Sequence, residues 1–168
     1  MTIGRAQVIT VSTRTAAGIW PDRSGPLLVD GLRALGFEVD PPVVVSDGDP
    51  VEAAFREALA RDVDLIVSTG GTGLTPMDLT PEITRRVIER EAPGIAEAIR
   101  AEGLRQGVAT AALSRAIAGI SGRTLIVNLP GSTGGARDGL SVLSTLFPHA
   151  IEQLRGGDHR TEDPGSRD

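Results

Sequence analysis

Cysteine, lysine and tyrosine do not occur in this 168-residue chain, and aromatic residues make up only 2% of it. Without cysteine there are no disulfides, no thiolate nucleophile and no Cys-ligated zinc. Without lysine there is neither a lysine Schiff base nor a lysine-dependent P-loop, and all 17 basic residues are arginine. The scarcity of aromatics leaves Val, Leu, Ile and Ala to fill the interior, which suits a parallel sheet buried under helices. The formal net charge of -5 and the absence of a basic run argue against non-specific binding to nucleic acid or an anionic membrane, which would need a basic face, and leave polyanionic small ligands to local sites. No apolar stretch is long enough to span a bilayer, and the opening "MTIGRAQVITVSTR" is too short in apolar residues for a signal peptide. A cytoplasmic location is the expectation.

The length fits one domain with a real core, expected over residues 1–155. The tail from 156 to 168, "GGDHRTEDPGSRD", is polar and is expected to be disordered. Between them, strand and helix patterns alternate. "QVITVS" and "DLIVST" are short β-branched runs covered on both faces, "FEVDPPVVVSD" reads as one strand ending near Asp47, and Thr124 to Asn128 supplies another. Leu28, Leu32 and Leu35 share a helical face that stops at Gly36. Asp49, Pro50 and Glu52 read as a capped helix start, and Thr80 as the cap of a helix from Pro81. A further helix is expected from Gly94 to Gly107. The last helix carries Leu140, Leu143, Phe147, Ala150, Ile151 and Leu154 on one side, with Pro148 expected to bend it. The sum is an α/β fold: a three-layer, doubly wound, mostly parallel sheet. Ligands of such sheets sit beyond the carboxyl ends of the strands.

Three loops fall at that end, holding Asp47, Thr69 to Asp78, and Pro130 to Gly135. In "TGGTG", Gly70, Gly71 and Gly73 lack a Cβ, so the backbone can approach a ligand and turn N–H groups toward an anion. A tight strand-to-helix turn would use the same glycines. The spacing is not a dinucleotide fingerprint, because Pro76 stands where the third glycine belongs. Asp78 sharpens the choice. A carboxylate about 4 Å from a phosphate is repelled by about 4 kcal/mol at an effective dielectric near 20, and a helix dipole returns at most about 2 kcal/mol. A cation between them resolves the conflict, and Mg²⁺ commonly takes one or two carboxylates together with phosphate oxygens. Asp47 is the natural second carboxylate. The plainer alternatives are that Asp78 caps its helix and Asp47 makes an Asx-turn.

Ser132 in "NLPGSTGG" lacks the Gly-x-Ser-x-Gly elbow of a nucleophile, and neither His149 nor His159 is placed as its base. The two histidines read as a surface residue and a tail residue. Arg14, Arg115, Arg123 and Arg137 lie near loops and could meet phosphate.

"STGGTGLTPMDLTPE", "LSRAIAGISGRTLIVNLPGS" and, more loosely, "VSTRTAAGIWPDRSGPLL" and "VVVSDGDPV" together resemble the Mog/MoaB molybdenum-cofactor biosynthesis family, in its adenylyltransferase branch. The likeness runs from Gln7 to Leu154, with the motifs in the family's order. It implies a compact fold, usually a homotrimer, that uses ATP and Mg²⁺ to place AMP on the terminal phosphate of molybdopterin, with a molybdenum insertase downstream. It also implies that Asp47 and Asp78 are the critical acids and tentative magnesium ligands. Ser12, Thr69, Gly70, Gly71, Thr72, Gly73, Ser114, Pro130, Gly131 and Ser132 would then bind substrate or nucleotide. Three positions depart from what is frequent in the family: Met77 where arginine often stands, and Thr133 and Gly134 where proline and lysine often stand. A pterin-binding paralogue or carrier without transferase activity, and a nucleotide-pyrophosphate hydrolase on the same fold, are the alternative readings.

Overall fold

The computed structural model describes residues 2–157. The tail expected beyond 157, with His159, lies outside the described residues. Seven strands form one sheet in the order β2-β1-β4-β7-β6-β5, with β3 also paired to β1. The strands are β1 (Gly4–Val11), β2 (Phe37–Val39), β3 (Val43–Val45), β4 (Leu65–Thr69), β5 (Arg90–Glu91), β6 (Ala118–Ser121) and β7 (Thr124–Leu129). Strands β2, β3, β4 and β7 join β1 in a parallel body, while β6 and β5 add an antiparallel edge.

Alternation along each buried strand divides the core. Val8, Leu65, Val67, Leu125, Val127 and Leu129 face one layer, formed by α2 (Ser24–Ala34), α5 (Pro93–Arg105) and α6 (Thr133–Leu154). Ile9, Val11, Ile66 and Ile126 face the other, formed by α3 (Asp49–Ala60) and α4 (Thr80–Val87). The three-layer α/β architecture is therefore as expected, and burial on both faces explains why these strands show no polar alternation. The stripe on α6 covers the sheet: Leu143, Phe147 and Ile151 are buried, and Phe147 meets Phe37 edge to face at 5.6 Å. Pro148 sits inside α6 without ending it.

Four local expectations need correction. "FEVDPPVVVSD" is two strands, not one. Pro41 and Pro42 have no N–H to give a ladder, so pairing with β1 breaks between Ala6↔Val39 and Ile9↔Val43. Asp49 is the first residue of α3 rather than its cap; Gly48, at φ +92°, takes the capping position. Thr80 is likewise inside α4, with Leu79 before it. Its N–H instead holds Gly71 O at 3.1 Å. Finally, β5 and β6 were not anticipated: they are short, and β6 enters β7 through the two-residue loop Gly122-Arg123, with Gly122 at φ +56°.

Beneath the ligand end of the sheet, Asn128 is fully buried and donates to Ser68 Oγ and Thr84 Oγ1, both at 3.0 Å. This ties β7, β4 and α4 together under the glycine loop. Among the described residues, no helix is long and apolar enough to cross a membrane.

Candidate active site

The chain reverses direction across the sheet at β1, with β2 and β3 on one side and β4 on the other. A crevice beyond the strand ends at such a switch point is the ordinary ligand site of this architecture. Here it is a cavity of about 1290 Å³. That exceeds the roughly 300–1,000 Å³ typical for one small ligand, leaving room for two.

The acids and binding residues that the family resemblance implies all line this cavity: Ser12, Asp47, Thr69, Gly70, Gly71, Thr72, Gly73, Asp78, Ser114, Pro130, Gly131 and Ser132. Their hydroxyls also tie the scaffold together. Thr69 Oγ1 donates to Pro130 O at 2.8 Å and so joins the two glycine loops. Ser132 Oγ caps α6 by accepting from Gly135 N–H at 3.1 Å, and Ser12 Oγ caps the short helix α1 (Thr13–Ala16) by accepting from Thr15 N–H at 3.2 Å. Ser114 Oγ accepts from Ala116 N–H at 3.3 Å. Each serine accepts in these bonds and so still has its own O–H to donate into the cavity. His149, exposed on α6, meets Gln153 at 2.8 Å, in keeping with a surface residue.

The two aspartates share one construction. Thr13 donates through N–H at 3.3 Å and through Oγ1 at 2.7 Å to Asp47 Oδ2. Thr75 donates through N–H at 3.0 Å and through Oγ1 at 2.7 Å to Asp78 Oδ2. Neither Asx-turn nor helix cap describes them. Each carboxylate is held by one oxygen, and no described residue donates a hydrogen bond to either Oδ1. Both flank the glycine loop: a Cβ on Gly71 would lie 3.2 Å from Asp47 Oδ1, and one on Gly73 would lie 2.9 Å from Asp78 Oδ2.

Arg115 sets the loop's orientation. Its N–H donates to Thr72 O at 2.9 Å and its Nε to Gly73 O at 2.8 Å, while Nη2 reaches Asp78 O and Nη1 reaches Glu82. In a trans peptide C=O and N–H point oppositely, so holding the carbonyls of Thr72 and Gly73 turns the N–H groups of Gly73 and Leu74 away from Arg115. Neither has a hydrogen-bond acceptor among the described residues. The first-turn N–H groups of α6, at Thr133 and Gly134, add unsatisfied donors on the second loop.

Arg115 is thus spent on the scaffold, which removes it from the four arginines that could meet phosphate. Arg123 lies at the β6–β7 loop, 3.9 Å from Asp62, and neither it nor Arg137 lines the cavity. Arg14 does, stacked on Trp20. Arg23 and Arg100 also line it, but Arg100 donates to Ser114 O and Ala116 O. Against these three arginines stand four aspartates, Asp22, Asp47, Asp78 and Asp138. A polyanion bound here would need additional positive charge. Two half-buried carboxylates with free oxygens suit Mg²⁺ shared with substrate phosphates. No group of three or more acidic, histidine or cysteine ligands occurs among the described residues, so an all-protein metal cage is not the arrangement.

The hydrogen bond from Arg115 holds the Glu82 carboxyl below its ordinary 4.5. A carboxyl depressed in the folded state stabilises fully above the unfolded pKa of 4.5 and loses that contribution as pH falls through the folded value. Both side chains are more than a third exposed, at 35% and 41%, so the pair itself is modest. Arg115→Ala is expected to cost about 1–2 kcal/mol at neutral pH, through the lost bonds to loop carbonyls, and to flatten the acid limb. Urea unfolding at neutral pH and near pH 4 checks both.

Sequence reasoning missed Thr13, Trp20, Asp22 and Arg100. The lone Trp beside a Gly-x-x-Pro turn was a usable signal; Arg100 lies far along the chain and gave none.

A family model described as "Probable molybdopterin binding domain" matches residues 7–149. The chain is 40% identical over 157 residues to the "Molybdenum cofactor biosynthesis bifunctional protein" of Synechococcus elongatus, covering 93% of this chain but 49% of that protein. It therefore spans about half the length of that curated relative. It is 36% identical over 152 residues to the "Molybdopterin adenylyltransferase" of Pyrococcus furiosus, covering 88% of this chain and 89% of that one. The solved molybdopterin biosynthesis Mog protein of Mycobacterium ulcerans superposes with a TM-score of 0.85 at 48% identity, over 89% of this chain and 98% of that one. With the model spanning most of the chain and both loops and both aspartates inside it, this protein belongs to the molybdopterin-binding family that the model describes.

Proposed function

We propose that residues 1–155 form one binding domain that transfers AMP from ATP to the terminal phosphate of molybdopterin, giving adenylyl-molybdopterin and pyrophosphate. The observation that carries this reading is the pair of carboxylates, Asp47 and Asp78, clamped by Thr13 and Thr75 on either side of one glycine loop in a cavity roomy enough for two ligands. Relatives named molybdopterin adenylyltransferase support it.

In the reaction an oxygen of the pterin's phosphate attacks the α-phosphorus of ATP in line with the bond to the β-phosphate. A new P–O bond forms, the old one breaks, and its electron pair leaves on pyrophosphate. The nucleophile is already anionic, so no protein base is needed, which fits a cavity lined without histidine. The chain's work is positioning. Backbone N–H groups of the two glycine loops receive phosphate oxygens, and the threonine clamps keep each aspartate in one rotamer. Asp47 and Asp78 would hold Mg²⁺, which neutralises charge on phosphate oxygens when bound. The reading extends to a homotrimer, to a cytoplasmic location, and to a molybdenum insertase that takes the product.

Purified protein with ATP, Mg²⁺ and molybdopterin is the test. Pyrophosphate should appear only when both substrates are present. Pyrophosphate or phosphate released without pterin would identify a hydrolase instead, and pterin binding without release would identify a carrier; either result overturns the proposal.

A further inference from the structure

Trp20 has no task in the phosphate chemistry above. It is the chain's single tryptophan, in a sequence with no tyrosine and three phenylalanines. Those phenylalanines are all buried in the core, whereas Trp20 lines the cavity with 53% of its surface exposed.

The indole is also held in place. Upstream, Gly18 at φ +74° turns the chain after α1, and Ile19 N–H donates to Arg14 O at 2.9 Å. Downstream, Asp22 accepts from Thr10 Oγ1 at 2.9 Å and from Gly25 N–H at 3.0 Å, anchoring the segment to β1 and α2. The Arg14 guanidinium lies 4.4 Å from the ring centroid, which covers part of the ring with a cation and fixes its plane. A preorganised aromatic surface in a cavity wall lowers the ordering cost of binding a flat ring, and stacking tolerates any ring with a π-face.

We infer that Trp20, backed by Arg14, is the stacking platform for the fused nitrogen heterocycle of one of the two substrates and sets affinity for that ring. The inference rests on the transferase reading. Purine and pterin share the relevant chemistry: a flat two-ring system on a tail that ends in phosphate, the group the glycine loops receive. Trp20 is thus a ring-binding residue that sets affinity, distinct from the aspartates in what it touches.

With one tryptophan and no tyrosine, intrinsic fluorescence reports position 20 alone. The full chain, Trp20→Leu and Trp20→Phe are titrated calorimetrically with ADP and, separately, with 6-hydroxymethylpterin, and wild-type fluorescence is followed in parallel. One probe is expected to shift the emission, to bind roughly 5- to 100-fold more weakly to Trp20→Leu, and to bind Trp20→Phe nearly as wild type, since phenylalanine restores a π-face and leucine only bulk. The probe affected identifies the ring. If no probe that binds wild type is weakened in Trp20→Leu, the inference is overturned while the transferase reading stands. Equal weakening of both probes with a fall in thermal midpoint would mark a structural residue and overturn it too. If wild type binds neither probe with Mg²⁺ present, the inference is overturned, and the pyrophosphate assay decides the transferase reading separately.

Discussion

Asp78→Asn is expected to fold normally and to lose roughly 100- to 1,000-fold in adenylylation, the loss found when one preorganised electrostatic contact is removed. The reasoning starts from the clamp. Thr75 N–H and Oγ1 both donate to Asp78 Oδ2, and an asparagine carbonyl oxygen can accept the same two bonds, so the turn survives. What disappears is the charge and the second acceptor, replaced by an NH₂ that cannot ligate a cation. The thermal midpoint should therefore stay near wild type while turnover collapses. Asp47→Asn keeps the Thr13 clamp by the same logic and should raise the Mg²⁺ concentration needed for half-maximal rate. Near-normal turnover in Asp78→Asn, or an unchanged magnesium requirement in Asp47→Asn, would remove the corresponding role.

Gly70→Ala is expected to fail in the opposite way, through the fold. A Cβ there would lie 2.2 Å from Val11 O, a backbone atom at the end of a central strand with nowhere to retreat. The residue also sits at φ +100°, where an L side chain is strained. Backbone strain of about 1–3 kcal/mol and a clash of similar size add to a loss of at least about 2 kcal/mol, visible as a lower urea midpoint. Gly131 packs against Gly70, with a Cβ there falling 3.2 Å from Gly70 Cα, so displacement of the first loop disturbs the second. By contrast Gly134 has open space around its missing Cβ, and Gly134→Ala serves as the control that should leave the midpoint nearly unchanged.

The two variants separate what local sequence displays from what it hides. The glycine loop and both aspartates were legible because each depends on residues a few positions apart: a β-branched run, glycines at its end, an acid before the next helix. The caps were misread for the same local reason. Asp49 and Thr80 have the right chemistry beside helix starts, but Gly48 at φ +92° takes one capping position, and Gly71 claims the Thr80 N–H from nine residues away. By its place near a loop, Arg115 is one of four arginines that could meet phosphate. Its engagement with Thr72, Gly73, Asp78 and Glu82 spans more than thirty residues of sequence, and no local pattern encodes it.

By itself the sequence determined the kind of fold and narrowed the side chains from which a site could be built. Short β-branched apolar runs bounded by turn residues fit strands covered on both faces, and a chain without cysteine or lysine is left with acids, hydroxyls, arginines, two histidines and backbone amides. Only the tertiary structure decided which polar groups are still free to act. Hydrogen-bonding capacity is finite: Arg115 commits its guanidinium to loop carbonyls and Glu82, Ser12 and Ser132 accept from the scaffold and keep an O–H to donate, Asp47 and Asp78 each keep an oxygen with no donor among the described residues, and Trp20 stays about half exposed.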